Sequence, residues 1–139
     1  MSLLFLLDTN IVSEPLRPKP NANILRRLQQ HRSEAAIPAV VWHELWFGCF
    51  RLPRSARREA IVAYLNEVIS PTLPILPYDE RAAEWHAGER ARLVAAGKTS
   101  VFADGQIAAI AAANELTLVT LNVTDFHDFA KLSMTTWTS

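Results

Sequence analysis

Only one cysteine, Cys49, occurs in the 139 residues. That rules out an internal disulfide and suits a chain that folds in a reducing compartment. Cys49 lies in an apolar run and reads as a small buried hydrophobe. An excess of either charge is also missing. Fourteen basic and 14 acidic residues sum to zero, which neither implies nor excludes a nucleic-acid partner. Long hydrophobic runs are absent too. Near the amino end, Leu3–Leu7 stops at Asp8 after five residues, with no basic leader before it. That is too short for a signal peptide or a membrane span, so the expectation is a cytoplasmic protein with no membrane partner. There is no low-complexity tract and no internal repeat.

What is present suits one globular domain over residues 1–139, large enough to bury roughly two thirds of its extended surface. Half the residues are hydrophobic. Leu3–Leu7 has the uninterrupted apolar character of a strand covered on both faces. Asn21 is placed to cap a helix with Ile24, Leu25 and Leu28 on one side. Ala35–Ile37 reads as a second strand, followed by a helix over Ala39–Phe50 with Val40, Val41, Leu45 and Trp46 inward. Ser55 caps a helix with Ile61, Leu65 and Val68 on one face. Leu73–Leu76 is a third strand, and Asp79 opens a helix over Glu80–Ala96 that Gly97 stops. An alanine-rich helix over Ala103–Asn114 leads into a fourth strand, Thr117–Leu121, with a fifth at Ser133–Thr136. Strands alternating with helices predict an α/β sandwich around a mainly parallel sheet.

In such sheets ligands gather beyond the carboxyl ends of the strands. Asp8 follows the first strand, Glu44 lies in the first turns after the second, and Asp104 opens the alanine-rich helix. Asn122 follows the fourth strand, with Asp125 three residues on. Separate segments thus send three carboxylates and an amide to one edge. Two unit charges about 4 Å apart repel by roughly 4 kcal/mol at an effective dielectric near 20, and a hard divalent cation removes that cost. Oxygen ligands select Mg²⁺, with Mn²⁺ as substitute, over zinc. Such a cation polarises a phosphodiester and activates water. Each acid has a plainer reading: Asp8 as a helix cap, Glu44 as a solvent-facing helix residue, Asp104 as a first-turn acid favouring the helix dipole. Their convergence at one edge is what those readings leave unexplained.

Other residues read more simply. His43 and His86 lack a partner at metal-ligand spacing and are taken as ordinary helix residues. Trp42, Trp46, Trp85 and Trp137 are expected in the core, although Trp42, Trp46, Phe47 and Leu52 together leave a surplus apolar face for a partner. Eleven of the 14 cations are arginine, concentrated at Arg26-Arg27 and at Arg51, Arg54, Arg57 and Arg58. The second group is either a solvated helix start or a clamp for a phosphate backbone.

Four segments then carry a family resemblance. Leu6-Leu-Asp8-Thr-Asn-Ile-Val-Ser-Glu-Pro-Leu-Arg17 resembles the opening of the PIN domain in VapC toxins, particularly the FitB-like branch. Val40-Val-Trp-His-Glu44-Leu-Trp-Phe-Gly48 is similar to the helix carrying that family's glutamate. Phe102-Ala-Asp104-Gly-Gln-Ile-Ala-Ala109 resembles its third acidic motif, and Leu118-Val-Thr-Leu-Asn122-Val-Thr-Asp125-Phe126 its fourth. The motifs stand in family order from residue 4 to residue 126. The resemblance maps the family's acidic quartet onto Asp8, Glu44, Asp104 and position 122, where this chain has asparagine in place of an acid. An amide oxygen still ligates or orients water but brings no charge. Asp125 lies on the same loop, so the number of metals stays open.

The resemblance implies a PIN-type fold and an Mg²⁺-dependent endoribonuclease, with Asp8, Glu44, Asp104 and Asn122 catalytic and the first three ligating metal. It further implies tRNA or rRNA as target and inhibition by a cognate antitoxin. A homodimer, a toxin–antitoxin hetero-oligomer and contact with operator DNA only through the antitoxin are also implied. Two alternatives stay open at this point: a structure-specific DNA nuclease on the same fold, and a non-catalytic PIN-like binding module.

Overall fold

The computed structural model describes residues 2–139. Five short strands form one sheet: β1 (Phe5–Leu7), β2 (Ala35–Pro38), β3 (Ile75–Leu76), β4 (Thr117–Val119) and β5 (Met134–Thr135). All neighbours run parallel, in the order β3-β2-β1-β4-β5. The parallel α/β sandwich expected from the sequence is therefore what forms. Parallel neighbours need crossover connections, and helices supply them: α1 (Thr9–Val12), α2 (Ala22–Gln30), α3 (Ala39–Phe50), α4 (Ala56–Ala63), α5 (Ser70–Thr72), α6 (Glu80–Ala95), α7 (Phe102–Ala113) and α8 (Val123–Phe126). Among the described residues, no helix is long and apolar enough to cross a membrane.

The core lies where the central strands meet the helices. Leu6, Leu7, Ile37, Leu118 and Val119 are fully buried. Val41, Leu45 and Cys49 form the inward stripe of α3, at the spacing of successive helical turns. In α7, Ala108, Ala109 and Ala111 are completely covered, and side chains this small let the helix lie close to its neighbours. Caps act where the sequence places them. Asn21 Oδ1 accepts from the N–H groups of Asn23 and Ile24, Ser55 Oγ from Arg58 N–H, and Asp79 Oδ1 from Ala82 N–H. Gly97 closes α6 with a φ of 74°, a left-handed conformation in which a Cβ would be strained.

Four expectations need correction. Val68 is exposed, not inward, because a π turn over Tyr64–Ile69 follows α4. Its wider turn rotates Ile69, rather than Val68, beneath Leu65. The third strand is cut to Ile75–Leu76, since Leu73 still closes the preceding turn by donating its N–H to the Ile69 carbonyl. Leu4 is 46 % exposed: it lies beyond the amino end of β1, where the helical layers no longer cover both faces. Of the four tryptophans only Trp137 is fully core, whereas Trp42, Trp46 and Trp85 are half-buried.

Because β1 is the middle strand and Leu6 is wholly enclosed, Leu6→Ala should cost about 2–5 kcal/mol of unfolding free energy. Urea denaturation checks this. A loss under 1 kcal/mol would show that the centre of the sheet relaxes around the gap.

Candidate active site

The carboxyl edge of β1 and β4 gathers the acids by simple chain geometry. Asp8 is the first residue past β1, and Thr120 the first past β4, with the register pairing Leu7 to Val119. Asp8 is only 6 % exposed. Its N–H donates to the Val119 carbonyl at 2.9 Å. Oδ1 accepts from Thr9 N–H at 2.8 Å and Oδ2 from the Thr120 hydroxyl at 2.7 Å. Asp8 does cap α1, as its plainer reading requires, but only with one oxygen; the other is committed to the neighbouring strand.

Two hydroxyls extend this arrangement. Thr9 donates its Oγ1 hydrogen to Glu44 Oε2 at 2.8 Å, tying α1 to α3. Thr120 Oγ1, while donating to Asp8, accepts from the Asn122 N–H at 3.0 Å. Asn10 Oδ1 accepts from the Leu121 N–H at 3.2 Å. None of these three side chains carries charge, so none stands out in a search for ionisable residues. The only signal is position: Thr9 and Asn10 adjoin the first acid, and Thr120 is the last residue but one of a predicted strand.

Asp104 approaches from above the sheet. α7 leads into β4 and so runs against the strand direction, which puts its first turn at the carboxyl edge. Burial pushes the Asp104 carboxyl from 3.8 up to about 6, helped by repulsion from Asp125, Asp8 and Glu44. Asp8 is also raised, mainly by burial and further by Glu44 and Asp125, against the lowering effect of its hydrogen bonds to Thr120 and Thr9. Four carboxylates from four segments thus feel one another. Asp125, on α8, supplies the fourth charge. Asn122 is exposed at the start of α8, and its side chain makes no capping hydrogen bond.

Among the described residues, no three acidic, imidazole or thiol groups are drawn together tightly enough to enclose a cation. That does not conflict with the mutual repulsion, which acts over longer distances than ligation. Mg²⁺ retains several waters and takes one or two carboxylates rather than a full protein cage. The all-oxygen chemistry of the donors suits such an ion.

Around the acids, the basic stretch divides. Arg57 lines a cleft of about 370 Å³ that also includes Thr9, Glu44, Leu45 and Arg17. Arg58 turns back, donating to the Leu52 carbonyl at 3.2 Å and lying over the Phe50 ring. Arg54 faces a separate depression with Glu59 and Glu67. His43 is an exposed helix residue stacked on Phe47, as expected. His86 is not: it is 2 % exposed and bonded to the Tyr78 hydroxyl at 2.8 Å. Its partners come from other segments, with no motif spacing to announce them.

With this geometry in place, similarity to known proteins becomes informative. The family model for the PIN domain matches residues 5–132. Over 126 residues the chain is 35 % identical to Toxin FitB of Neisseria gonorrhoeae, covering 88 % of this chain and 91 % of that protein. It is 30 % identical over 127 residues to the VapC ribonuclease Y4jK of Sinorhizobium fredii, covering 89 % and 91 %. The crystal structure of DNA-bound VapBC from Salmonella typhimurium contains a chain that superposes with a TM-score of 0.85. Identity there is 30 %, and 97 % of this chain and 98 % of that one are covered.

The raised Asp104 carboxyl has a consequence for stability without metal. Protonation favours the folded state, so this contribution is complete below pH 3.8 and lost as pH rises through about 6. Asp104→Asn is neutral throughout and escapes the loss. In metal-free buffer the variant's Tm should therefore gain on the wild type between about pH 4 and about pH 7. The lowered His86 works in the opposite sense, but is common to both proteins and cancels in the difference. Parallel Tm–pH curves would contradict the assignment.

Proposed function

Since the chain belongs to the PIN-domain family, we propose that it is a divalent-metal-dependent endoribonuclease acting as the toxin of a toxin–antitoxin pair. The observation that carries this reading is the electrostatic coupling of Asp8, Glu44, Asp104 and Asp125 at one sheet edge. A surface with no use for such repulsion would not concentrate it there. The ribonuclease and toxin names of the relatives support RNA, rather than DNA, as substrate. The two-component VapBC complex supports a cognate antitoxin as partner, with operator DNA reached through it.

The residues divide the work by position. Asp8, Glu44 and Asp104 would hold Mg²⁺ or Mn²⁺ in part through the waters that the ion keeps, and Asp125 adds charge from α8. When bound, the ion polarises the phosphodiester and lowers the pKa of a water molecule. Thr9 and Thr120 keep the Glu44 and Asp8 carboxylates oriented through their hydroxyls. The unbonded amide of Asn122 is free to orient a water or a phosphate oxygen. Arg17 and Arg57, in the adjoining cleft, neutralise the phosphates flanking the scissile bond. On α3, Phe47 and Phe50 stand 55 % and 60 % exposed. They offer the apolar face that an antitoxin segment or second protomer covers.

The direct test is cleavage of total RNA by purified protein. Cleavage should require Mg²⁺ or Mn²⁺ and stop in excess EDTA. Asp8→Asn and Asp104→Asn should each lose it while keeping the wild-type circular dichroism spectrum. Full activity in EDTA, or in either variant, would overturn the reading.

A second expectation concerns the cleft. Arg57→Gln should weaken RNA binding and flatten its salt dependence, with the log–log slope falling by about 0.7, the value for one phosphate contact on a single strand. Adding Arg17→Gln should deepen the change by less than a second full contact, since Arg17 is already paired with Glu14 at 3.3 Å. An unaltered slope, measured by fluorescence anisotropy from low to high salt, would place the RNA elsewhere.

A further inference from the structure

Asp104 sits on the first turn of α7, and that turn has no capping side chain. Val101 occupies the cap position and contributes no side-chain hydrogen bond. The turn's leading N–H groups have no helical partners, and the first backbone bond of the helix runs from Gly105 N–H to the Val101 carbonyl at 3.1 Å. Something other than a cap must fix the direction of the Asp104 carboxylate.

What touches the turn is a column of side chains from α6 and the segment before it. The His86 ring lies against Gly105 so closely that a Cβ at 105 would overlap Nε2 and come within 2.7 Å of Cδ2. Residue 105 must be glycine for the ring to fit, and its value here is close approach, since its φ is not in the left-handed region. The same ring packs on Phe102, with centroids 4.7 Å apart. On its other side, Nδ1 and the Tyr78 hydroxyl share a hydrogen bond of 2.8 Å, which sets the ring's rotation. The Arg90 guanidinium lies over the Phe102 ring, 5.3 Å from its centroid. Residues 102 and 105 thus grip the imidazole on either side of Asp104.

We propose that His86 is a positioning residue: seated on Gly105 and Phe102 and oriented by Tyr78, it holds the uncapped first turn of α7 and so aims the Asp104 carboxylate. The inference rests on the reading of Asp104 as a metal ligand. Its physical logic is that of outer partners at metal sites, whose loss typically weakens metal binding by 10–100-fold without removing a ligand. Burial lowers the basicity of His86, so the ring serves as a neutral wedge.

The experiment uses the full chain and Mn²⁺ as probe. His86→Ala, Tyr78→Phe, Gly105→Ala and the double variant His86→Ala/Gly105→Ala are compared by calorimetric Mn²⁺ titration. Amide hydrogen exchange over residues 102–105 is followed in metal-free buffer. Leu93→Ala, a cavity seven residues along the same helix from His86, controls for lost stability. His86→Ala should weaken Mn²⁺ binding about tenfold or more and speed exchange in the first turn of α7. The double variant should recover part of both, because the methyl at 105 refills space that the imidazole vacated. Leu93→Ala should lower Tm with Mn²⁺ affinity unchanged. If Gly105→Ala fails to fold, His86→Ala and the double variant decide. Wild-type affinity and exchange in His86→Ala would overturn the proposal, as would an equal loss of affinity in Leu93→Ala. Wild-type Mn²⁺ affinity in Asp104→Asn would instead overturn the ligand assignment, and this inference with it.

Discussion

A carboxylate buried where two parallel strands end sets the terms for the rest of this structure. Asp8 is almost wholly shielded from bulk water, so most of its charge must be met from within. One oxygen is met by the backbone of the helix it starts, the other by a hydroxyl on the adjacent strand. That second bond exists only if β4 pairs with β1 in the observed register, because a slip by one residue would turn Thr120 to the opposite face. The same pairing fixes where α8 begins and hence where Asp125 stands. Through Thr9, the constraint passes to Glu44 on α3. The site is therefore not a set of acids added to a finished scaffold. The hydrogen bonds that make Asp8 tolerable also align the elements that carry its neighbours.

The sequence makes the architecture and the ionisable part of the site legible. Asp8, Glu44 and Asp104 can be found because each lies just past a strand or in the first turns of a helix whose pattern is strong, and because carboxylates at one edge demand an explanation. Asn122 can be placed on its loop, yet its neighbour Asp125 is the residue that contributes charge there. Thr9 and Thr120 escape notice for a physical reason: a hydroxyl has no charge and no motif, and its importance depends wholly on what lies within 3 Å. His86 escapes because its counterpart is an absence, the missing side chain of Gly105 nineteen positions later. Val68 points outward because one wide turn changes the helical period, and hydrophobic spacing alone carries no trace of that turn.

Electrostatically, the chain balances its books only over long distances. Net charge is zero, while the sheet edge concentrates four acids and the cleft beside it holds Arg17 and Arg57. Proteins commonly accept local strain or repulsion where function requires it, at some cost in stability. Here the cost falls on Asp104 most visibly, since it is only partly covered and stands nearest to choosing between a proton and an ion. Behind it the neutral core of α7, Ile107 to Ala111, is fully buried.

The position of β1 in the middle of the sheet bears on when this catalyst comes into being. Its two neighbours, β2 and β4, come from opposite halves of the chain, and the Asp8–Thr120 bond spans 112 residues. During synthesis the first strand and its acid emerge 112 residues ahead of Thr120. Until then Asp8 has no partner strand on one side, and the edge that brings the acids together does not exist. Long-range pairing of this kind is slow to form. Late closure thus keeps the acids apart while most of the chain between them is still being made.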